Sequence, residues 1–337
     1  MPNGNLSELN KKEVLVTGGC GFIGSEVTKQ LSEIGANVTI IDNLSSGKEE
    51  YIKKFPNVKL IKSDLADIES IRQVIKDKEY VIDLAALPFI PDSYYIPKKF
   101  FEVNVNATID LALEISKNKK IKRFVHISSS EIYGSAKYVP MDENHPTTPQ
   151  STYAVSKLAA ERVVFTMHKE HNIPAVVIRP FNSFGPNITQ PYIIPEIISQ
   201  ILSGKNEITL GNLNSKRDLT FVSDTAKAIL LTLTAEDVIG ETINVGSQRS
   251  LSIKELVKLI ANLLNKDVSI KTDSSRFRPF DVDNLVCNYD RANRLLGWKP
   301  EIMIKEGLKT TIEWVKENGI SFNTPFKGWT SSYRENK

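Results

Sequence analysis

The sequence predicts an α/β protein built on a doubly wound parallel sheet, with a smaller C-terminal α/β lobe. Three observations lead to this fold class. From Glu13 to about Pro180, short β-rich runs alternate with longer helical patterns. The apolar runs are nearly continuous, as expected for strands that are covered on both faces. A glycine-rich turn follows the first run and leads directly into a helical pattern.

The predicted elements follow one another in a regular order. The strands before Pro180 are EVLVT, NVTIID, VKLIKSD, YVIDLAA, RFVHISSS and AVVIRP. Helices are predicted at about residues 22–34, 103–116 and 153–168. After Pro180 a proline-rich passage breaks the rhythm, and a short strand, EITLG, comes before further helices. One of these is LSIKELVKLIANLL, in which Ser252 and Glu255 fit a capping box.

This change of rhythm predicts the domain organisation. Residues 1–180 form the first domain, and residues 181–325 form the smaller lobe, some segments of which could return to the first domain. Residues 326–337 form a C-terminal tail without clear periodicity.

Composition and charge exclude several classes of protein. Lys and Arg total 43 against 40 Asp and Glu, and the charges are scattered, so no nucleic-acid footprint is indicated. Cys20 and Cys287 stand far apart, and His168 and His171 flank charged residues at a helix end, so no metal site is expected. The chain shows neither the apolar region of a signal peptide nor a membrane-spanning run. We therefore expect a cytoplasmic protein without a membrane or nucleic-acid partner.

The segment VLVTGGCGFIGSEVTKQL predicts a dinucleotide site. Gly18, Gly21 and Gly24 allow backbone amides to approach a pyrophosphate at the positive end of a helix. Asp42, at the end of the next strand, can accept hydrogen bonds from an adenosine ribose, and its charge would repel a 2′-phosphate. Asp64, ending the following strand, is either an adenine contact or a solvated strand-end acid. We therefore expect a Rossmann-type domain that binds NAD.

Tyr153 and Lys157 predict the reactive group. They stand four residues apart, so both project from one face of a helix. A cationic lysine and a positive nicotinamide ring would lower the pKa of a phenol from its ordinary value of about 10. The phenolate could take the proton of a sugar hydroxyl while the hydride leaves for NAD. Ser129, after a predicted strand, is either a partner of the reacting oxygen or a turn residue.

Motifs along most of the chain carry a family resemblance. They are TGGCGFIG, IDNLSSGK, LAA at 84–86, EVNVNAT, SSSEIYG, YAVSK, RPFNSFGP and KRDLTFVSD. From Glu13 to about Asn318 the chain resembles the extended short-chain dehydrogenase/reductase family, specifically its NAD-dependent nucleotide-sugar epimerases and dehydratases, and UDP-glucose 4-epimerases most of all. The resemblance implies NAD in the first domain, a nucleotide diphosphate sugar in the C-terminal lobe, and a homodimer built from helices of the first domain.

The resemblance also implies roles for individual residues. The implied catalytic residues are Ser129, Glu131, Tyr153 and Lys157. The implied cofactor contacts are Gly18, Gly21, Phe22, Ile23, Gly24, Asp42, Asn43, Gly47, Asp64, Leu65, Leu84, Ala85, Ala86, Asn104, Tyr153, Lys157 and Pro180. The implied substrate contacts are Ser129, Ser130, Asn182, Arg217 and Arg278. Guanidinium groups suit the last two positions because they offer paired donors to phosphate oxygens.

Glu131 separates the reactions that the resemblance implies. All of them begin with oxidation at sugar C4 to a 4-keto intermediate. A 4-epimerase returns the hydride to the other face and needs no further acid or base, whereas a 4,6-dehydratase needs a carboxylate base, for which Glu131 is placed. Ser130 stands where one dehydratase class carries an aspartate, and RFRPFDVDNLV is similar to the epimerases. We expect a 4-epimerase, acting on a UDP-sugar, first, a dehydratase second and a UDP-glucuronate decarboxylase third. A non-catalytic NAD-sensing protein is the alternative of a different class.

Overall fold

A parallel sheet of seven strands lies at the centre of the protein. The computed structural model describes residues 4–277 and 282–320. The strands in these ranges are β1 (Glu13–Thr17), β2 (Asn37–Asp42), β3 (Val58–Lys62), β4 (Tyr80–Asp83), β5 (Arg123–Ile127), β6 (Ala175–Pro180), β7 (Asn182–Phe184), β8 (Glu207–Leu210), β9 (Lys216–Phe221), β10 (Thr242–Val245), β11 (Ser250–Ser252) and β12 (Ser269–Thr272).

Helices cover both faces of this sheet and build most of the second lobe. They are α1 (Phe22–Ile34), α2 (Ile68–Ile75), α3 (Ile90–Ser93), α4 (Pro97–Phe101), α5 (Ala107–Lys117), α6 (Thr152–His171), α7 (Ile193–Leu202), α8 (Val222–Thr234), α9 (Ile253–Leu263), α10 (Asp290–Leu296) and α11 (Ile304–Asn318). Over the described ranges, no helix has the length and apolar character that crossing a bilayer requires.

The order of the strands creates a crevice. The order is β10-β6-β5-β4-β1-β2-β3, and all neighbouring strands are parallel. The chain runs outward from β1 to β3 and then returns to place β4 on the other side of β1. Ligands of open parallel sheets bind at such a reversal, outside the carboxyl ends of the strands. The predicted Rossmann-type doubly wound sheet is confirmed.

Strand β1 shows why the apolar runs do not alternate with polar residues. Val14 and Val16 belong to the core cluster that contains side chains of α1 and α8, whereas Leu15 belongs to the cluster with α2, α5 and α6. All three side chains are fully buried. Each contributes about 1.5–3 kcal/mol through burial, so polar substitution on either face of β1 would be costly.

The smaller lobe has its own core. It contains a three-stranded sheet of order β11-β9-β7 and a two-stranded sheet of β12 and β8. Side chains of α7, α9 and α11 form an apolar cluster around them. The predicted capping box at the start of α9 is confirmed, because Glu255 donates its backbone N–H to Ser252 Oγ and accepts the backbone N–H of Ser252.

Two elements that follow β7 in sequence belong to the central sheet and its layers. β10 pairs with β6 in the large sheet, and α8 packs against α1. The division near residue 180 therefore stays a prediction of domain boundaries, with these two segments returning to the first domain. The proposed tail at 326–337 lies outside the described residues.

The helix predicted at 103–116 differs from the structure at its start. A π-helical turn covers Glu102–Asn106, and α5 begins only at Ala107. The wider turn contains Asn104, whose side-chain amide is bonded to the backbone of Leu87. This tertiary contact, which local periodicity does not reveal, accompanies the change of helical geometry.

Candidate active site

A cavity of about 480 Å³ opens at the carboxyl ends of β1, β4 and β5. Its walls come from both lobes: the glycine turn, the segments after β4 and β5, one face of α6, and residues near α7 and β9. Small-molecule and cofactor sites typically occupy about 300–1,000 Å³. The cavity is therefore large enough for a ligand that spans the two lobes.

The glycine turn brings backbone amides to one wall of this cavity. Gly21 is the N-cap of α1, and no described side chain caps that end. Gly18 has a φ of +67°, and a Cβ at Gly24 would lie 2.1 Å from the carbonyl oxygen of Gly18. Only glycine allows this approach, which leaves the positive end of α1 open to an anion. The turn thus fits the pyrophosphate of a dinucleotide.

Asp42 and Asp64 line the same part of the cavity. Asp42 accepts the backbone N–H of Cys20 at 2.9 Å and that of Leu44 at 2.8 Å. Burial raises the pKa of Asp42, while these two hydrogen bonds act against the rise. Asp64 accepts the backbone N–H of Ala66, which lowers its pKa. The Asp42 carboxylate is thereby held in a fixed orientation at the end of β2, where the ribose of a dinucleotide is expected.

The proposed reactive groups meet at the floor of the cavity. Tyr153, Lys157, Ser129 and Glu131 all line it. The hydroxyl groups of Ser129 and Tyr153 are hydrogen-bonded to each other, and Ser129 Oγ also accepts the backbone N–H of Glu131 at 3.2 Å. α6 presents Tyr153 and Lys157 one turn apart, and its N-cap Ser151 accepts the backbone N–H of Ala154. The two residues, four apart in sequence, therefore lie on the same face of α6.

The electrostatics of this pair differ from the expected lowering of the phenol pKa. Burial raises the pKa of Tyr153 to about 12; the Ser129 hydrogen bond acts against this, and the charge of Glu131 adds to it. Burial also lowers the pKa of Lys157 to about 8. Lys157 is buried and Tyr153 is partly buried, and removal from water favours the neutral form of each. The described protein groups alone therefore do not lower the phenol pKa.

Asn182 and Arg217 bring the second lobe to the cavity. Asn182 Oδ1 is buried and has no hydrogen-bond partner among the described residues, so it is available to a ligand. Arg217 donates from Nη1 to the carbonyl oxygen of Val282 at 2.7 Å, which fixes its guanidinium group at the wall. Arg278, the other predicted arginine, lies outside the described residues.

Most of the predicted site residues line this one cavity. Those that do are Gly18, Gly21, Phe22, Ile23, Gly24, Asp42, Asn43, Asp64, Leu65, Leu84, Ala85, Ala86, Ser129, Ser130, Glu131, Tyr153, Lys157, Pro180, Asn182 and Arg217. Gly47 and Asn104 are not among its lining residues. Gly47 packs against Cys20 of the glycine turn, where a Cβ would come within 2.8 Å of the backbone. Asn104 instead holds the segment at Leu87, which lines the cavity.

Several wall segments were not predicted from the sequence. They are residues 87–91, residues 191–196 and Arg276, whose guanidinium group pairs with Glu196 at 2.9 Å. The proline residues of the first two segments lie in or just before the first turns of α3 and α7, and nothing in their local pattern points to a cavity. In the described part of the chain, no cluster of His, Cys, Asp and Glu could hold a metal ion.

Comparison with known proteins agrees with this geometry. A model of the GDP-mannose 4,6 dehydratase family matches residues 15–311. An epimerase structure from Methanothermobacter thermautotrophicus is 31% identical, with a TM-score of 0.88, covering 93% of this chain and 94% of that one. The dTDP-D-glucose 4,6-dehydratase of Bos taurus is 30% identical, covering 91% of this chain and 89% of the relative.

A third relative carries both expected ligands. The UDP-glucuronic acid 4-epimerase of Bacillus cereus was solved with UDP-glucuronic acid and NAD; it is 26% identical, with a TM-score of 0.85, and the match covers 90% of this chain and 99% of that one. The glycine turn, the open end of α1 and Asp42 fit the same cofactor here. The chain belongs to the GDP-mannose 4,6 dehydratase family, within the NAD-dependent sugar epimerases and dehydratases of the extended short-chain dehydrogenase/reductase class.

Proposed function

We propose that the protein is an NAD-dependent 4-epimerase of a nucleotide diphosphate sugar, with a UDP-sugar as its substrate. The observation that carries this proposal is the hydrogen-bonded pair of Ser129 and Tyr153 at the floor of the cavity. The same cavity contains the glycine turn at one wall and Arg217 at another. A sugar attached to a diphosphate at Arg217 would therefore share this cavity with the tyrosine.

The chain's own residues account for the movement of the proton. Tyr153 takes the proton of the sugar 4-hydroxyl, and Ser129, already bonded to the phenol, shares a hydrogen bond with the same sugar oxygen. Lys157, on the same face of α6, provides a positive charge that stabilises the phenolate. NAD, when bound, supplies the hydride acceptor and the returning hydride. Tyr153 then gives the proton back to the oxygen of the 4-keto group as the hydride returns to its other face, which forms the inverted alcohol.

The cavity walls could hold the two ligands from opposite sides. The amides at the start of α1 would hold the pyrophosphate of NAD, and Asp42 would hold its adenosine ribose. Arg217, fixed by the Val282 carbonyl, would bind the diphosphate of the sugar nucleotide, and the unpartnered Asn182 Oδ1 would accept a hydrogen bond from the substrate.

A 4,6-dehydratase is the second candidate, because Glu131 is buried in the same cavity beside Tyr153. A dehydratase removes the C5 proton, and a buried carboxylate in this position could act as its base. Ser130 stands beside Glu131 and offers no carboxylic acid to the leaving hydroxyl. The epimerase with its UDP-bound sugar among the relatives favours the first candidate. A decarboxylase of UDP-glucuronate is the third.

Turnover in heavy water, followed by mass spectrometry of the product, tests these proposals together. The account predicts that a UDP-sugar gives an isomer of unchanged mass without carbon-bound deuterium. Loss of water with deuterium uptake would show the dehydratase, and loss of carbon dioxide the decarboxylase. Binding of NAD without conversion of any nucleotide sugar would show a sensing protein and overturn the proposal.

A further inference from the structure

Behind the Tyr153 and Lys157 pair lies a buried cluster of charged side chains that the mechanism above does not use. Asp83, at the end of β4, and His126, on β5, are each 1% exposed. Glu161 lies one turn after Lys157 on α6, and it pairs with Arg179 of β6. All four side chains are buried, and they lie on β4, β5, α6 and β6.

Asp83 receives three hydrogen bonds inside this cluster. Thr17 Oγ1 donates to it at 2.8 Å and Thr108 Oγ1 at 3.2 Å. His126 Nδ1 lies 2.8 Å from the second carboxylate oxygen. Burial acts to raise the pKa of Asp83, whereas its hydrogen bonds with His126 and Thr17 and the charge of Lys157 act to lower it, and the pKa lies below its ordinary value. Asp83 is therefore an anion at neutral pH.

His126 is neutral and contributes no charge of its own. Burial and the charge of Lys157 lower the pKa of His126, although Asp83 acts to raise it. Because Asp83 is a carboxylate, the imidazole proton sits on Nδ1 and is donated to Asp83. Nε2 then carries a lone pair, and it is buried without a partner among the described residues.

The two buried carboxylates of this cluster differ in whether an arginine pairs with them. Glu161 is matched by Arg179, which donates to both of its carboxylate oxygens. Among the described residues, the hydrogen-bond partners of the Asp83 carboxylate are two hydroxyl groups and a neutral imidazole. An uncompensated buried charge is costly, so a cation nearby is strongly favoured.

Lys157, which is 4% exposed, is the buried cation nearby. Thr108 Oγ1 lies within hydrogen-bonding distance of both Asp83 and the carbonyl oxygen of Asn104. The Asn104 side chain donates to Ser156 Oγ, next to Lys157 on α6. In agreement with this placement, Asp83 and Lys157 each favour the charged form of the other.

We propose that Asp83, oriented by His126, is a positioning residue that keeps Lys157 in its ammonium form beneath Tyr153. The inference rests on the proposed role of Tyr153 and Lys157. The charged and titratable groups in this part of the core are Asp83 of β4, His126 of β5, Glu161 and Tyr153 of α6, Arg179 of β6, and Glu131 beside Tyr153. Of the two carboxylates that raise the pKa of Lys157, Glu161 is paired with Arg179, whereas no ion pair joins Asp83 to an arginine or another lysine among the described residues.

Loss of the Asp83 charge should shift the pKa of Lys157 and that of Tyr153 in defined directions. Without it, burial lowers the pKa of Lys157 further, so the lysine loses its proton at a lower pH. The phenolate of Tyr153 then loses its positive neighbour, and its pKa rises. In Asp83→Asn the alkaline limb of the pH profile of kcat should therefore move down by about one unit and the acidic limb should move up.

A labelling experiment measures the lysine directly, without substrate or turnover. Cyanate carbamylates only neutral amines and is small enough to enter the cavity that Lys157 lines. The carbamylation rate of Lys157, measured by mass spectrometry and normalised to the exposed Lys266, should rise about fivefold at pH 7 in Asp83→Asn, because a pKa that falls by one unit from about 8 raises the neutral fraction from about one tenth to about one half. The exposed variant Asp267→Asn should leave it unchanged.

Two variants of His126 distinguish loss of the hydrogen bond to Asp83 from loss of packing. They remain informative if Asp83→Asn does not fold. His126→Asn keeps a donor to Asp83 and should preserve the labelling rate and the pH profile. His126→Leu removes the donor and should move both in the direction of Asp83→Asn. Folded Asp83→Asn or His126→Leu protein with unchanged labelling would overturn the proposal. If the wild-type protein converts no nucleotide sugar, the proposed function fails, and the labelling still decides the role of Asp83.

Discussion

At the scale of single residues, the chemistry of the site depends on three neighbouring side chains, those of Ser129, Glu131 and Tyr153. Tyr153 and Ser129 are bonded to each other, and Glu131 adds a negative charge that opposes ionisation of the phenol. An epimerase has no step for that carboxylate. The backbone N–H of Glu131, independently of its side chain, donates to Ser129 Oγ. A dehydratase would use the same carboxylate as a base.

Replacing Glu131 by glutamine therefore separates the two reactions. For an epimerase, kcat should change by less than about tenfold, because the neutral amide can still fill the site. Loss of a general base typically costs about 10² to 10⁴ in rate. Initial rates on the best UDP-sugar from a panel measure the difference, with exposed Glu33→Ala as the control. A loss of a thousandfold in Glu131→Gln would contradict the epimerase account.

Some residues of the site could be predicted because their neighbours in sequence define their environment. The glycine turn, Asp42 at a strand end, and Tyr153 with Lys157 on one helix are of this kind. Arg276 and the segment at 87–91 reach the cavity only through tertiary packing. Asn104 shows the same limit, since its bonds to Leu87 depend on a π-helical turn that periodicity does not reveal.

At the scale of elements, the start of helix α1 depends on close contact between its first two turns and the backbone of the glycine turn. Gly24 lies against the carbonyl oxygen of Gly18, and Thr28 donates to the carbonyl oxygen of Gly19 at 3.3 Å. The first two turns of the helix are thereby packed onto the glycine turn. The β1-turn-α1 unit was predictable from sequence because all of these contacts are local.

A methyl group at Gly24 should disturb this unit. In Gly24→Ala the new Cβ would lie 2.1 Å from the Gly18 carbonyl oxygen, so the helix must shift. Overpacking of this kind costs about 1–3 kcal/mol of the free energy of unfolding, and NAD binding should weaken because the amides move. Urea unfolding and calorimetric titration with NAD measure both effects, with exposed Glu33→Ala on the same helix as the control. Unchanged NAD affinity in Gly24→Ala would show that the turn does not hold the cofactor.

At the scale of the whole molecule, the chain returns to its first domain after leaving it. β10 extends the central sheet next to β6, and α8 packs on α1. The sequence after Pro180 loses its regular rhythm, so these two elements were not identified individually. Their placement depends on long-range pairing between segments far apart in the chain.

The outer face of the first domain carries exposed apolar side chains, which would suit an interface of the expected homodimer. Phe101, Leu113 and Val155 are 37%, 38% and 40% exposed, and they lie on α4, α5 and α6, which pack together. We propose that this face meets a second copy of the chain. Leu113→Glu should then convert the dimer to a monomer in sedimentation experiments, because burying an unpaired carboxylate is costly.

The control for this experiment is Leu202→Glu on α7 of the other lobe, where Leu202 is 40% exposed. It should sediment as the wild-type protein does. A wild-type monomer, or a Leu113→Glu variant that remains dimeric, would contradict the proposed interface.

The central claim is that Tyr153, as its phenolate, accepts the proton of the sugar 4-hydroxyl, and removal of its hydroxyl group tests this most directly. The measurement is kcat of Tyr153→Phe on the best UDP-sugar, with NAD affinity determined alongside and the exposed Tyr138→Phe as the control. The account predicts that kcat falls by about 10² to 10⁴ while NAD still binds and the control retains its activity. A Tyr153→Phe variant that turns over at the wild-type rate would contradict the account.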